Sequence, residues 1–429
     1  MGKQLIRIGM LGMGTVGSGV AELINTNCND IAEKTGFEIR IDKVLVRDPG
    51  RQRSVKLGRD QFTTDASAVL ENPELDLIIE LIGGLEPART YVLAALKNGK
   101  HVITANKDLL ASHGPELFVA AAENNRNLFY EGSVGGGIPL IRPLKYSLSA
   151  DCIQRIVGIV NGTTNYIFTR MDRDNLSLPD ALAEAQKLGF AEANPTNDLD
   201  GLDAVYKLVI MASLAFGEFV NPDDIYVQGI KEVTHEDIAY ARELGYAVKL
   251  LAIGEHVSDG LALRVHPTLV PLSHPLSSVQ NEFNAVFIEA AAAGDLMFYG
   301  RGAGAKPTAS AVLADVIEAA RSVSSGLSVD VVVHTKREKR VVPVYELNSR
   351  FYLRFLAEDR PGVFAALANV FGDEQVSLDL VIQKRRVGNL AEIVLITHDV
   401  REESFRKALN KVMEIPAIQP ESSMIRLLG

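Results

Sequence analysis

The stretch Leu5-Ile6-Arg7-Ile8-Gly9-Met10-Leu11-Gly12-Met13-Gly14-Thr15-Val16-Gly17 decides the reading of the N-terminal part of the chain. Residues 5–11 have the pattern of a short apolar strand, residues 12–17 fit G-x-G-x-x-G, and residues 16–24 have helical character. The glycines permit a tight turn and let main-chain N–H groups approach a pyrophosphate at the helix N-terminus, where the helix dipole favours an anion. Alone, a G-x-G-x-x-G is a weak sign. Set between a strand and a helix near residue ten, it favours dinucleotide binding over a mere glycine-rich turn. Gly12, Gly14, Thr15, Val16 and Gly17 are the expected cofactor-binding backbone.

A second strand, residues 39–46, ends at Arg47-Asp48. An acidic residue there would bind the adenosine ribose, and a cation would accept a 2′-phosphate. Arg47, Arg51 and Arg53 cluster at that point, so NADP is expected over NAD, with Arg47 as the contact; solvated loop arginines are the plainer alternative. Further strands at 75–81, 101–104 and 127–130 alternate with helices at 86–98 and 115–124, which gives a doubly wound α/β unit. Ile82-Gly83-Gly84 and Thr104-Ala105-Asn106-Lys107 follow carboxyl ends of strands, the edge where such sheets bind ligands, and Thr104 joins the cofactor set.

Composition narrows the class. A chain of 429 residues exceeds one core and implies two or three domains. Its formal charge is −10 with basic residues scattered, so neither nucleic acid nor an anionic membrane is an expected partner. Cys28 and Cys152 have no metal-type spacing and form no disulfide framework, which fits a reducing compartment. No apolar run approaches membrane-spanning length, the N-terminus lacks a secretory pattern, and position 6 is Ile rather than the Ser or Thr of a myristoylation site. The expected location is the cytoplasm. No histidine pair has H-E-x-x-H spacing and no G-x-S-x-G occurs, so neither a zinc or iron centre nor a serine nucleophile is expected.

Glu131-Gly132-Ser133-Val134-Gly135-Gly136-Gly137-Ile138-Pro139 marks the crossing into a second domain. Such a glycine run either turns carbonyls inward toward a hard monovalent cation or makes a hinge. A strand at 153–160 then leads into Asn161-Gly162-Thr163-Thr164-Asn165 and a helix. Hydroxyls there are either caps or holders of a substrate carboxylate, and Thr163 is the candidate. Residues 185–207, AQKLGFAEANPTNDLDGLDAVYK, gather Glu192, Asp198, Asp200 and Asp203 in a loop broken by Gly189, Pro195 and Gly201. Asp203 and Lys207 stand one turn apart at the start of a helix to Phe216 whose apolar face runs through Leu208, Met211, Leu214 and Ala215. As an isolated pair they would be surface decoration. The crowding of acids, glycines and proline favours a binding loop instead.

Strand patterns follow at 248–255, 261–270 and 285–292, and suit a mixed-sheet α+β domain. Residues 300–308, GRGAGAKPT, open an amphipathic helix to about Arg321, and the charged run Lys336-Arg337-Glu338-Lys339-Arg340 reads as a solvated connector. Beyond it, strand (351–356), turn (Asp359-Arg360-Pro361-Gly362-Val363), helix (364–371), strands (376–383 and 391–397), helix (404–412) and strand (422–427) spell βαββαβ, a ferredoxin-like order.

The order A-x-x-x-G-F-A-E-x-N-P-x-x-D-L-x-G-x-D-x-x-x-K over residues 185–207 resembles that of homoserine dehydrogenases, and D-R-P-G-V after the first C-terminal strand resembles an ACT module. The resemblance spans essentially the whole chain; Asn197, where family members can carry a second carboxylate, is a departure. It implies a Rossmann-type NAD(P)-binding domain over 1–130 completed by about 301–325, a substrate-binding and dimerisation domain over 131–300, a linker at 326–349 and an ACT regulatory domain at 350–429. It further implies reversible reduction of L-aspartate 4-semialdehyde to L-homoserine in threonine, methionine and isoleucine biosynthesis. Lys207 is then the proton donor, Asp203 its orienting partner, Glu192 and Asp198 the binders of the substrate ammonium, and Lys107 a contact to substrate and nicotinamide. Gly304 joins the cofactor set, carbonyls of Glu131, Val134, Gly136 and Ile138 would hold Na+, and Asp359, Gly362 and Val363 would bind threonine as effector. A homodimer or homotetramer is expected from ACT pairing. Two rivals are an inert amino-acid-sensing protein and another NAD(P)-dependent reductase of a small amino or oxo acid.

Overall fold

A computed structural model of the chain describes residues 4–53, 55, 57–326 and 340–429. The N-terminal part contains β1 (Gln4–Leu11), α1 (Thr15–Thr35), β2 (Phe37–Leu45), β3 (Phe62–Thr63), α2 (Ser67–Leu70), β4 (Leu77–Glu80), α3 (Ala88–Lys97), β5 (His101–Thr104), α4 (Lys107–Glu123) and β6 (Leu128–Phe129). The six strands form one parallel sheet in the order β3-β2-β1-β4-β5-β6. Chain order reverses at β1, so the crevice beyond the carboxyl ends of β1 and β4 is where this topology binds a ligand.

Two helices are longer than their patterns suggest. Helix α1 continues from residue 24 to Thr35 through the exposed polar stretch Asn25–Asp30, where no apolar face announces it, and Gly36 ends it in the left-handed conformation at φ 80°. Helix α4 starts at Lys107 rather than at 115, because the Asn106 side chain accepts the Leu109 N–H at 3.2 Å and caps the first turn. Pro115 lies inside the helix, where its ring forgoes one backbone bond.

The middle of the chain adds β7 (Ile153–Ile159), α5 (Gly162–Asp174), α6 (Leu178–Leu188), α7 (Thr196–Leu199), α8 (Leu202–Phe216), β8 (Tyr226–Val227), α9 (His235–Glu243), β9 (Tyr246–Val257), β10 (Gly260–Pro271), β11 (Phe283–Ala290), β12 (Gly294–Arg301) and α10 (Ala305–Ser325). The C-terminal part holds β13 (Asn348–Ser349), β14 (Phe351–Glu358), α11 (Val363–Asp373), β15 (Leu378–Val387), β16 (Leu390–Thr397), β17 (Val400–Arg401), α12 (Glu402–Met413) and β18 (Ile418–Leu427). Of the charged run 336–340, only Arg340 falls within the described residues. Its carbonyl accepts the Leu261 N–H at 3.0 Å, and Val342 returns a bond to the Leu261 carbonyl at 2.8 Å.

The chain divides into two compact units. One comprises the residues up to Ile153, Tyr206–Pro222 and the stretch from Glu289 that contains α10. In its core, Ala309, Val312, Leu313 and Val316 of α10 pack with Ile6, Ile8 and Met10 of β1 and Val20 and Ile24 of α1. A side chain at Gly19 would place its Cβ 2.7 Å from the Ala305 carbonyl oxygen, so this glycine sets the close packing of α1 on α10.

The other unit comprises Gln154–Val205, Asp223–Ile288 and the C-terminal part. Its sheet runs β11-β7-β9-β10-β18-β14-β16-β15. The last four strands, with α11 and α12, give the expected βαββαβ module around a core in which Phe351 and Phe405 stack at 3.8 Å. This module shares its sheet with β10 through the parallel pairing of Thr268 with Arg426 and Leu269 with Leu427. Several of its buried charges are paired, as burial requires. Arg354 bonds Asp237 at 2.6 Å and Glu392 at 3.1 Å, Ser423 adds a 2.8 Å bond to Asp237, and Arg426 holds Glu402 at 2.6 Å.

Candidate active site

The turn after β1 has the geometry its glycines imply. Gly12 sits at φ 95°, and a Cβ there would lie 2.7 Å from the Leu81 carbonyl oxygen at the end of β4. A Cβ on Gly17 would come nearly as close to the Gly12 carbonyl oxygen, at 2.9 Å, while one on Gly14, the N-cap of α1, would meet nothing within 4 Å. Two glycines therefore make the turn, and the third has open space beside it at the helix N-terminus. Arg47 and Arg51 are exposed just past β2, whereas Arg53 folds back on the Asp48 carbonyl at 2.9 Å and over the Phe62 ring at 4.9 Å.

The neighbouring strand ends are tied by a residue that the sequence reading passed over. Glu80, fully buried at the end of β4, accepts the Thr104 hydroxyl at 2.6 Å and the Ile82 N–H at 2.7 Å. Thr104 in turn accepts the Asn106 N–H at 3.0 Å, and the Asn106 amide donates to the Gly84 carbonyl at 2.7 Å. Ile82-Gly83-Gly84 and Thr104-Ala105-Asn106 thus form one braced edge. Lys107, at the first position of α4, is half-buried with its ammonium 3.6 Å from Asp108. The signal for Glu80 was available: a carboxylate inside the apolar run of a parallel strand must be paired.

The glycine run at 131–137 has a packing cause. A Cβ on Gly136 would lie 2.6 Å from Gly302 backbone, and one on Gly137 2.9 Å from Pro307, so this loop lies against the start of α10. Gly304 precedes that helix at φ 123°. The Glu131 carboxylate accepts the N–H groups of Leu140, Ile141 and Arg142 at 2.7–3.0 Å. In this loop the Tyr130 and Gly135 carbonyls are taken by Ser133 and Ile138, and these are not the oxygens singled out for a cation, which belong to Glu131, Val134, Gly136 and Ile138. Beside them, Arg142 faces three carboxylates: Asp315, Glu318 at 2.7 Å, and Glu131 at 3.9 Å. Burial, and then the charge of Glu131, push the Asp315 carboxyl up to about 8 against the pull of Arg142. One guanidinium cannot neutralise three acids, so the buried Asp315 is held toward its neutral form.

In the other unit, each residue of Asn161-Gly162-Thr163-Thr164-Asn165 has a definite contact. Asn161 caps α5 by accepting the Thr164 N–H at 2.8 Å. Gly162 passes close to the Glu282 carbonyl oxygen, where a Cβ would sit 2.8 Å away. The buried Thr163 hydroxyl donates to the Phe190 carbonyl at 2.7 Å, which braces the loop leading to Glu192. Asn165 donates to the carbonyls of Asn281 and Phe283 and accepts from the Lys249 ammonium at 3.0 Å. Burial pushes that lysine down to about 8.

The acid-rich loop converges on this cap. The Asn161 amide donates to Asp198 at 2.7 Å and to Asp203 at 2.9 Å. Asp198 belongs to α7 and Asp203 to the first turn of α8, with Gly201 between them at φ 82°. Asp203 and Lys207, both half-buried, stand four residues apart on α8. Glu192 is exposed, and Asp200 turns outward to Lys231 at 2.5 Å. At its far end α8 helps to line an apolar cavity of about 480 Å3 with Phe118 and Tyr130, to which none of the four acids contributes. In the C-terminal module, Asp359 pairs with Arg386, and the exposed Gly362 caps α11 at φ 91° ahead of the buried Val363.

Fold and site together define a class: an oxidoreductase built on a dinucleotide-binding parallel sheet, with a C-terminal ACT module. Family profiles place the chain within it. "Homoserine dehydrogenase, NAD binding domain" matches residues 12–131, "Homoserine dehydrogenase" residues 139–317 and "ACT domain" residues 351–417. A homoserine dehydrogenase of Synechocystis is 44% identical over 433 residues, covering 99% of this chain and 100% of its own. A solved homoserine dehydrogenase of Thiobacillus denitrificans superposes with a TM-score of 0.92 at 38% identity, covering 99% of this chain and 98% of its own. A hyperthermophilic archaeal homoserine dehydrogenase in complex with NADPH has a TM-score of 0.62 at 27% identity, covering 74% of this chain and 98% of its own. The chain belongs to the homoserine dehydrogenase family. Among the described residues no helix is long and apolar enough to cross a membrane.

Proposed function

We propose that the chain reversibly reduces L-aspartate 4-semialdehyde to L-homoserine with a nicotinamide cofactor, in the cytoplasmic route to threonine, methionine and isoleucine. The observation that carries the reading is Asp203 bonded to Asn161 beside Asp198, with Lys207 one turn along the same helix. When bound, the nicotinamide supplies the hydride. Lys207 gives its proton to the oxygen that develops negative charge at the aldehyde, a contribution typically of about 10²–10⁴-fold. Asp203 orients Lys207, Glu192 and Asp198 attract the substrate's ammonium, and Lys107 helps to fix substrate and nicotinamide; Thr163, expected to hold the substrate carboxylate, gives its one hydroxyl hydrogen to Phe190 and braces the loop instead.

The cofactor is held by the N–H groups around Gly12, Gly14, Thr15, Val16 and Gly17, with Thr104, Lys107 and Gly304 nearby. NADP is preferred to NAD, which the exposed Arg47 beyond β2 and the archaeal relative's NADPH both support. The carbonyls of Glu131, Val134, Gly136 and Ile138 hold Na+, and threonine binds at Asp359, Gly362 and Val363 to inhibit an oligomer of two or four chains. The deciding experiment is homoserine oxidation by the full chain with NADP or NAD, with and without threonine and Na+. Saturable turnover with NADP, suppressed by threonine, is expected; absence of turnover on homoserine would reject the activity.

A further inference from the structure

Asn161 accepts, through its side-chain oxygen, the Thr164 N–H at 2.8 Å and the Thr164 hydroxyl at 3.0 Å. Because an N–H can only donate, that pair of bonds fixes which end of the carboxamide is oxygen. The NH2 end must then point the other way, and both of its hydrogens are used, one on Asp198 and one on Asp203. One neutral group therefore spans two acids that come from different elements, α7 and the first turn of α8. The acids follow one another within six residues across Gly201, a link with left-handed backbone that does not by itself fix their spacing. Two like charges held by separate turns repel, and a shared neutral donor lowers that cost without cancelling either charge.

The rest of the cap anchors the donor. Asn161 itself is buried, Gly162 lies against the Glu282 backbone, and Asn165 is bonded to two loop carbonyls and to the buried Lys249. A rigid post of this kind suits orientation of a reacting constellation, where a displacement of about 1 Å costs about 10²-fold in rate.

We propose that Asn161 is a positioning residue for homoserine oxidation: its carboxamide sets the spacing of the Asp198 and Asp203 carboxylates. The proposal rests on the activity assigned above. A helix cap alone would not need the amide, because Asp and Ser cap as well as Asn. Asn161→Asp keeps the shape and the cap while replacing both donors by a third negative oxygen.

The test compares the full-length wild type with Asn161→Asp and Asn161→Ser, measuring kcat and KM for homoserine from pH 6 to 10, thermal unfolding, and NADPH binding. The expected result for Asn161→Asp is near-wild-type melting and NADPH affinity, a kcat/KM lower by about 10²-fold, and an acid limb of the pH profile moved up by about one unit. Asn161→Ser, with one donor, falls between. Wild-type kcat/KM and pH profile in either folded variant would overturn the positioning role while leaving the activity standing. If Asn161→Asp unfolds, Asn161→Ser decides alone. A wild type inactive on homoserine would instead remove the activity, and this role with it.

Discussion

The carboxylate of Glu80 accepts the hydroxyl hydrogen of Thr104 at 2.6 Å, joining the ends of two adjacent parallel strands inside the nucleotide-binding sheet. The same side chain also takes the Ile82 and Gly83 N–H groups. Glu80→Gln would replace the charged acceptor by a neutral amide whose NH2 faces either the two N–H groups or a Thr104 hydroxyl that must turn round to accept, and hydrogen bonds to a charged group are worth about 1.5–3 kcal/mol. NADPH affinity is expected to fall by about tenfold or more, read by fluorescence titration. An unchanged Kd would mean that this edge does not shape the cofactor site.

The glycines of the first turn separate by mechanism. Gly12→Ala forces a Cβ against the Leu81 carbonyl in a left-handed conformation, so it should destabilise the fold by about 1–3 kcal/mol. Gly14→Ala meets no protein atom and should leave the melting temperature unchanged while weakening NADPH about tenfold, because the methyl occupies the approach to the pyrophosphate. Calorimetry with and without NADPH distinguishes the two effects. Equal behaviour of the two variants would refute the assignment.

Asp315 gives stability a pH dependence with a definite sign. Its folded-state pKa is raised to about 8 from an ordinary value near 4, so folding takes up a proton between these limits. The contribution to stability is therefore greatest in acid, declines as pH rises through that window, and is level above about 8. Asp315→Asn should flatten this decline in thermal unfolding scans between pH 5 and 9. Parallel curves for wild type and variant would assign the slope elsewhere.

Arg354 binds two carboxylates, Asp237 and Glu392, that are both essentially excluded from solvent. Arg354→Met removes their cation and should cost about 3–5 kcal/mol, the usual result of stranding buried charge. A loss below about 1 kcal/mol in denaturant unfolding would show that Ser423 and Tyr352, which donate to Asp237, and Arg385, which donates to Glu392, suffice.

The parts that the sequence made legible were those with local causes. The strand, glycine turn and helix of residues 5–24, the strand ends at Ile82 and Thr104, and the βαββαβ order of the C-terminus all follow from periodicity and turn chemistry over a few residues. The placement of Asp203 and Lys207 on one helix face followed from their spacing. What escaped depends on pairings distant in the chain. The sheet shared by β10 and β18 joins residues 268 and 426, the glycine run at 132–137 answers to Gly302 and Pro307, and Asn161 meets acids 37 and 42 positions later. Pro115 misled for a different reason. Proline usually opens a helix, and here a cap two turns earlier outweighs the one bond it forfeits.

The most direct test of the account is steady-state oxidation of L-homoserine by NADP, followed through reduced-nicotinamide absorbance, for the wild type and Lys207→Ala. The expected result is saturable turnover by the wild type and a kcat lower by about 10²–10⁴-fold in the variant, with NADPH affinity unchanged. Wild-type kcat in Lys207→Ala, or no homoserine oxidation by either protein, would contradict it.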